Sequence, residues 1–318
     1  MNFGELKCRE ERQIERLLSG ASISRLPASE RLPPSATTKQ LDILAALTVL
    51  RFACVDRLSL YLPRYVRGIQ RSLEVLRSRR LVSWFRWVDT TGIKDGLDPL
   101  PTTPVYCLTT KGVERCILDR VIEDDTYMLT RSWRGKPVLH SGMPHQLGIV
   151  DIVIGLSIAS RRSPTHEIFL TVPDFVNEEI DGKARVATIE LLGGKNEFRP
   201  DLIAYARAKI SGKFFTLYIE LERKNKGSGE INGKFDNYSA LFQMANRRFD
   251  KGKPILLYVI TPCIDPKDTE NRVKLVRSWV KNKPVAPAFR ITSLDRLKEN
   301  AFGPIWQKSD GSAWGIGQ

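Results

Sequence analysis

The chain contains no uninterrupted run of the roughly eighteen apolar residues that a membrane-crossing helix needs, so no membrane span is expected. Its opening Met-Asn-Phe-Gly-Glu-Leu-Lys lacks the apolar core of a secretion signal. Cysteine is sparse and odd in number: Cys8, Cys54, Cys107, Cys116 and Cys263 are scattered, with no Cys-x-x-Cys pair. That excludes a zinc ribbon and argues against a disulfide framework. The three histidines are dispersed as well. Acids are short relative to bases, 36 against 50, which leaves a formal charge of +14 and a pI near 9.7. No internal repeat is present. These absences describe a reduced, cytoplasmic protein whose partner is a polyanion, nucleic acid before an anionic membrane surface.

What is present suffices for real cores: 318 residues with 42% hydrophobic content suggest two domains. Residues 1–36 read as an N-terminal arm and linker ending in the Ser/Pro-rich stretch 28–36, and Thr37 and Thr38 can cap the helix that follows. Residues 37–120 form the first expected domain. Leu41, Ile43, Leu44, Leu47 and Leu50 give 38–52 an apolar helical face, residues 55–62 make a second short helix, and residues 64–80 a third. A strand at 81–89 and another near 105–112 complete it. The third helix carries Arg64, Arg67, Gln70, Arg71 and Arg77, then Arg79 and Arg80, against the single acid Glu74. Such a helix can lie in a major groove, with guanidiniums on phosphates and guanine edges. Three helices and a two-stranded ribbon resemble the winged helix-turn-helix plan. The phrase Tyr106-x-Leu108-Thr109-x-Lys111-Gly112 is similar to the closing wing strand of that family. Residues 121–140 are read as a linker.

The second expected domain spans 141–300, with a C-terminal tail at 301–318. Its most informative stretch runs from Pro200-Asp201 to Glu222-Arg223-Lys224. From Phe215 onward the residues alternate, which places Phe215, Leu217, Ile219 and Leu221 on one face and Tyr218, Glu220, Glu222 and Lys224 on a solvent-facing side. A turn near 209–212 makes a hairpin, and Asp201 lands beside Glu220 or Glu222. Three carboxylates and a lysine then converge. Carboxylate oxygens suit Mg²⁺ or Mn²⁺, a bound ion supplies a nucleophilic water, and a lysine offsets charge developing on phosphate. A helix opening at 144–147 and ending near 162, a strand over 166–172, a helix over 232–249, the apolar run 254–260, a helix over 268–281 and a strand at 289–292 surround this hairpin.

Pro-Asp, about twenty residues, then Glu-x-Lys resembles the PD-(D/E)xK nuclease superfamily. That likeness implies an α/β fold of the restriction-endonuclease type, with Asp201, Glu220 and Glu222 as metal ligands and Lys224 assisting at the scissile phosphate. The two halves together resemble the replication-relaxation family, which includes the MobC-type relaxases of mobile elements. The likeness is carried by Arg199-Pro200-Asp201, Tyr218-Ile219-Glu220-Leu221-Glu222-Arg223, Lys234 and Tyr238, over about residues 38–262. It implies a DNA-processing protein that binds double-stranded DNA at an origin of transfer or replication. Such a protein cleaves one strand by metal-assisted hydrolysis, with accessory mobilisation proteins or a second copy as partners. The alternatives are a catalytically inactive, sequence-specific DNA-binding accessory factor and, further off, an endonuclease making double-strand breaks.

One departure leaves the ligand set open. The family usually has Asp where this chain has Glu222, and often Gly-Thr where it has Lys224-Asn225. Either Glu220 is the main metal ligand or Glu222 and Lys224 are the working pair. Asp151 on the first helix is a further candidate acid, and His145 at its start a candidate phosphate or metal contact. Tyr238 sits on an apolar stripe with Phe235 and Phe242, which favours packing over a covalent role.

Overall fold

Apolar spacing shapes the N-terminal part. In the computed structural model, helix α1 (Thr38–Leu50) buries Ile43, Leu44, Leu47 and Leu50, the set that shares one helical face. The short α2 (Val55–Tyr61) buries Leu58. Helix α3 (Val66–Ser78) buries Ile69, Leu73 and Leu76 and turns its arginines outward. Strands β1 (Val82–Trp87) and β2 (Thr103–Leu108) pair antiparallel, with Val82 opposite Leu108 and Trp87 opposite Thr103. Helix α4 (Thr110–Leu118) starts at Thr109, whose hydroxyl accepts the Gly112 N–H at 3.0 Å. A Cβ at Gly112 would lie 2.0 Å from the Leu81 carbonyl oxygen, so only glycine lets α4 sit this close to the start of β1.

Helix α5 (Met143–Arg162) leads into a seven-stranded sheet. Its strands are β3 (His166–Pro173), β8 (Leu202–Ala208), β9 (Phe214–Glu222), β10 (Ile255–Ile260), β11 (Phe289–Ser293), β12 (Trp306–Lys308) and β13 (Ala313–Trp314). The order across the sheet is β13-β12-β11-β10-β9-β8-β3. Two small antiparallel pairs, β4 (Asn177–Ile180) with β5 (Lys183–Val186) and β6 (Glu190–Leu191) with β7 (Glu197–Phe198), lie between β3 and β8 in the chain. The centre is parallel: β9 pairs with β10 and β10 with β11, while the flanking pairs are antiparallel. Parallel neighbours need crossovers, supplied by α6 (Ser228–Asn246) and α7 (Pro266–Val280).

Both crossovers lie on one face of the sheet. Phe235, Tyr238 and Phe242 of α6 and Val273, Val276 and Val280 of α7 share a core with Tyr218, Leu256, Tyr258, Phe289 and Ile291. The other face is covered by α5 and by α8 (Leu294–Asn300). A Cβ at Gly148 would meet Leu221 at 2.4 Å, and one at Gly155 would meet Leu297 at 2.6 Å, so two glycines let α5 close on the sheet and on α8. Each fully buried aliphatic or aromatic side chain contributes about 1.5–3 kcal/mol, and β9 and β10 draw on both faces at once.

The structure describes residues 36–87, 103–119, 121, 143–173, 177–180, 183–186, 190–191, 197–223, 226–246, 254–263 and 265–316. Apart from Ala36 and Val121, the arm at 1–36 and the linker at 121–140 lie outside these, as does Lys224. The mixed α/β class holds. Two expectations are corrected. The face of β9 bearing Tyr218, Glu220 and Glu222 is not solvent-facing, because α6 and α7 roof it. Residues 301–318 are not a free tail, because β12 and β13 extend the sheet beyond β11. Helix α5 does have the length and apolar content of a membrane span, yet it is the core helix of this fold, with 61% of its most apolar window buried.

Candidate active site at the Asp201 end of the sheet

Asp201 stands immediately before β8, and Leu202 pairs with Ile219 of β9. Continuing that antiparallel register puts Asp201 opposite Glu220. Its Oδ2 accepts the Leu221 N–H at 2.8 Å, so the side chain takes up a ladder donor where β8 stops. Its Oδ1 lies 3.3 Å from Nε2 of His145, in the first turn of α5. The close approach at Gly148 brings that turn within reach.

Glu220 points from β9 under α6. Its Oε1 accepts the Tyr238 hydroxyl at 2.8 Å, and its Oε2 is ion-paired with the Lys234 ammonium. Lys234 and Tyr238 are four residues apart, one above the other on the same helical face. Exposure separates their roles. Glu220 is 1% and Tyr238 0% exposed, whereas the side chains of Asp201, His145 and Lys234 keep 15%, 23% and 25%. The rim of the site is therefore Asp201, His145 and Lys234, and its floor is Glu220 held by Tyr238.

The electrostatics follow from that arrangement. Burial, together with the facing Asp201 charge, pushes the Glu220 carboxyl up to about 8, against the pull of Lys234 and Tyr238. Burial opposes ionisation of Asp201 too, but His145, Lys234 and the Leu221 N–H outweigh it and hold the carboxyl below its ordinary value. Lys234 loses by burial and gains more from Glu220 and Asp201, so its ammonium is held on the more tightly. Burial and the Glu220 charge raise the Tyr238 hydroxyl well above the usual phenol range. That hydroxyl keeps its proton, and the buried ring packs against Tyr218 and Phe242. The packing role is thus the one its surroundings favour.

Glu222 does not join Asp201. Its Oε1 accepts from Arg272 of α7, with Nε at 2.6 Å, and Arg272 also donates to the Lys226 carbonyl at 2.8 Å and lies 5.0 Å over the Trp279 ring. At 3% exposure Glu222 is bound into the core. Asp151 is elsewhere again, paired with Arg57 of α2 and Lys298 of α8. Of the four residues expected to form the site, the structure brings together Asp201 and Glu220. The ammonium beside them is that of Lys234. Nothing in the spacing of the sequence pointed to Arg272 as the partner of Glu222, since α7 has several cations and only packing selects one.

Asp201 and Glu220 fit a magnesium-type site, because Mg²⁺ is commonly held by one or two carboxylates, several waters and the phosphate it serves. Two facing carboxylates with one ammonium between them also leave a negative excess, which helps to lift Glu220. A cage of three ligands does not fit: among the described residues no group of three His, Cys, Asp or Glu side chains is arranged to hold an ion. Glu222 is paired with Arg272 and does not stand beside Asp201.

A second surface lies on α3. Arg67, Gln70, Arg71 and Arg77 are exposed, and the Gly68 surface is open. The Arg77 guanidinium lies 5.9 Å from the Trp84 ring of β1. Arg64 departs from expectation. It is half-buried, ion-paired with Asp42 of α1 and donates to the Lys39 carbonyl at 3.1 Å, so it ties the helices together.

A sequence model of the replication-relaxation family matches residues 41–254, well over half of the chain, and the chain belongs to that family. No curated protein matches it. Among solved structures it is similar to ZitR of Lactococcus lactis, with 14% identity, 36% of this chain and 73% of that chain covered, and a TM-score of 0.23. It is also similar to an XisH family protein from Nostoc punctiforme, with 11% identity, 46% and 94% covered, and a TM-score of 0.26. At such scores neither likeness bears on the fold or the site.

Proposed function

We propose that this replication-relaxation protein binds duplex DNA through α3 and the β1–β2 pair and hydrolyses one phosphodiester bond at the Asp201–Glu220–Lys234 cluster. The observation that carries the reading is the convergence of those three side chains from β8, β9 and α6, with Asp201 and Lys234 on the accessible rim. Three helices, an outward basic helix and an antiparallel strand pair support a winged helix-turn-helix for the first part. A Pro-Asp entering β8, a glutamate on β9 and helices on both faces support a PD-(D/E)xK-type α/β domain for the second. An ammonium beside this pair is supplied by Lys234 of α6, and Lys224 of the Glu-x-Lys position lies outside the described residues.

A divalent cation held by Asp201 and Glu220 would supply Lewis-acid polarisation of the phosphate and a nucleophilic water. The chain's own groups do the rest. Lys234 keeps a full positive charge beside the two carboxylates and offsets the charge gathering on the phosphoryl oxygens. His145 and the Leu221 N–H fix the Asp201 carboxylate in one orientation. Tyr238 does the same for Glu220 from below. On α3, Arg67, Arg71 and Arg77 reach phosphates and, with Gln70, base edges. In this reading the DNA is the origin region of a mobile element, nicked for transfer or replication with accessory mobilisation proteins.

The test is a supercoiled plasmid bearing the element's own transfer or replication region, incubated with Mg²⁺, Mn²⁺ or EDTA. Wild type is expected to give open circles only with metal, and Asp201→Asn and Lys234→Ala to give none. Linear product would point instead to a double-strand endonuclease. One observation favours a second reading, a DNA-binding accessory factor without catalysis: both oxygens of Glu220 and of Asp201 already face protein donors. Retarded but intact DNA with wild type and variants alike would establish it.

A further inference from the structure

Asp151 is a buried acid in the middle of α5, six positions beyond His145. It is not idle. Arg57 of α2 grips it with two bonds, Nε to Oδ1 at 2.7 Å and Nη2 to Oδ2 at 3.0 Å. Lys298 of α8 reaches Oδ2 from the other side at 3.0 Å. One carboxylate thus joins a helix of the N-terminal part, the core helix of the α/β part and a helix near the C-terminus. Burial works against the Arg57 charge, but Asp151 outweighs it and holds the guanidinium above its ordinary value.

Two further attachments flank the clamp on α5. Toward its start, Met143 and Leu147 share an apolar cluster with Phe52 and Val105. At its end, Arg161 donates to the carbonyls of Tyr61 at 2.8 Å and Leu60 at 3.0 Å, where α2 finishes and the chain turns toward α3. The first turn of the same helix carries His145, which contacts Asp201. Helix α5 is therefore fastened at three levels to the N-terminal part, twice to α2 and once to Phe52 and Val105 of β2, and at its head to the candidate active site. A bidentate arginine fixes direction as well as distance, which a lysine contact alone does not.

We infer that Asp151 is a positioning residue, which with Arg57 and Lys298 locks α3 at a fixed distance from the Asp201–Glu220 site. The consequence for DNA, which rests on the function proposed above, is that the cut falls at one set phosphate relative to the sequence held by α3. The lock itself stands on the side-chain geometry alone.

Spin labels at Glu74→Cys on α3 and Ser211→Cys on the β8–β9 turn, with Cys8, Cys107 and Cys263 replaced by serine, read this distance by pulsed electron resonance. The unaltered clamp is expected to give one narrow distance. Asp151→Asn, which keeps the side-chain shape and removes the charge, is expected to broaden it. Arg57→Lys, milder for folding, is expected to do so in part, and the double variant no more than Asp151→Asn alone, because the two residues act as one unit. Circular dichroism matching wild type shows that the variants are folded. On origin plasmid, Asp151→Asn is expected to bind within about twofold of wild type, since separated sites act independently, and to scatter its nicks over neighbouring phosphates. An unchanged, narrow distance in both folded variants overturns the inference. A broadened distance with no nicking by wild type leaves the lock standing and removes the catalytic reading instead.

Discussion

Replacing Glu220 with glutamine should flatten the dependence of stability on pH. The carboxyl titrates near 8 in the folded chain against an ordinary 4.5. Between those values the folded state holds a proton that the unfolded state has released, so stability falls as pH rises through the window. Each pH unit is worth about 1.4 kcal/mol, which puts the ceiling near roughly 5 kcal/mol, comparable with a large part of a whole domain's stability of about 5–15 kcal/mol. Asp201 and Lys234 titrate with Glu220 and share the change, so the expected loss is smaller than that ceiling. Asp201 acts in a separate window: with its carboxyl lowered, its stabilisation is present above the ordinary 3.8 and is lost as pH falls below it. An amide at 220 has no proton to hold. The assay is urea unfolding in EDTA, followed by tryptophan fluorescence from pH 5 to pH 9, on wild type and Glu220→Gln. Wild type should lose stability across the range, and the variant should not. The slope is the readout, because glutamine also deprives Lys234 of its partner and shifts the absolute value. Parallel curves for the two proteins would sink the account of Glu220 as a carboxylate raised by burial and by Asp201.

Removing the Arg272 side chain should be costly, since it leaves the buried Glu222 carboxylate without its partner; Arg272→Ala is expected to destabilise by about 3–5 kcal/mol, measured by chemical denaturation, and a loss under about 1 kcal/mol would contradict the pairing. On α3, Arg67→Ala and Arg71→Ala should weaken duplex binding at all sequences and each lower the slope of log affinity against log salt by about 0.9 for every phosphate no longer neutralised. An unaltered salt slope would move the DNA away from this helix. Arg64→Ala should act differently, lowering the melting temperature with little effect on the salt slope, because that guanidinium binds Asp42 and the Lys39 carbonyl.

The elements themselves were legible in the chain, and for a physical reason: periodicity is local. The apolar spacing of Ile43, Leu44, Leu47 and Leu50, the arginine-rich face of α3, the alternation along β9 and the apolar run of β10 are each fixed by neighbours a few residues apart. The hairpin turn narrowed the neighbour of Asp201 to Glu220 or Glu222, and only the folded register, with Leu202 opposite Ile219, makes it Glu220. Which face of β9 meets water could not be read in the chain either. Alternation gives two faces but not which is covered, and the roof of α6 and α7 over Glu220 and Glu222 is a fact of packing. The identities of the ionic partners are decided at the same level. Lys234 sits fourteen positions from Glu220, Arg272 fifty from Glu222, and Arg57 ninety-four from Asp151. Local order along the chain thus accounts for the elements, the surplus of positive charge and the approach of Asp201 to the acidic end of β9. Folding alone selects which carboxylate stands at an accessible rim and which are paired with arginine, because a charge in a folded core is defined by what desolvates it and what stands opposite.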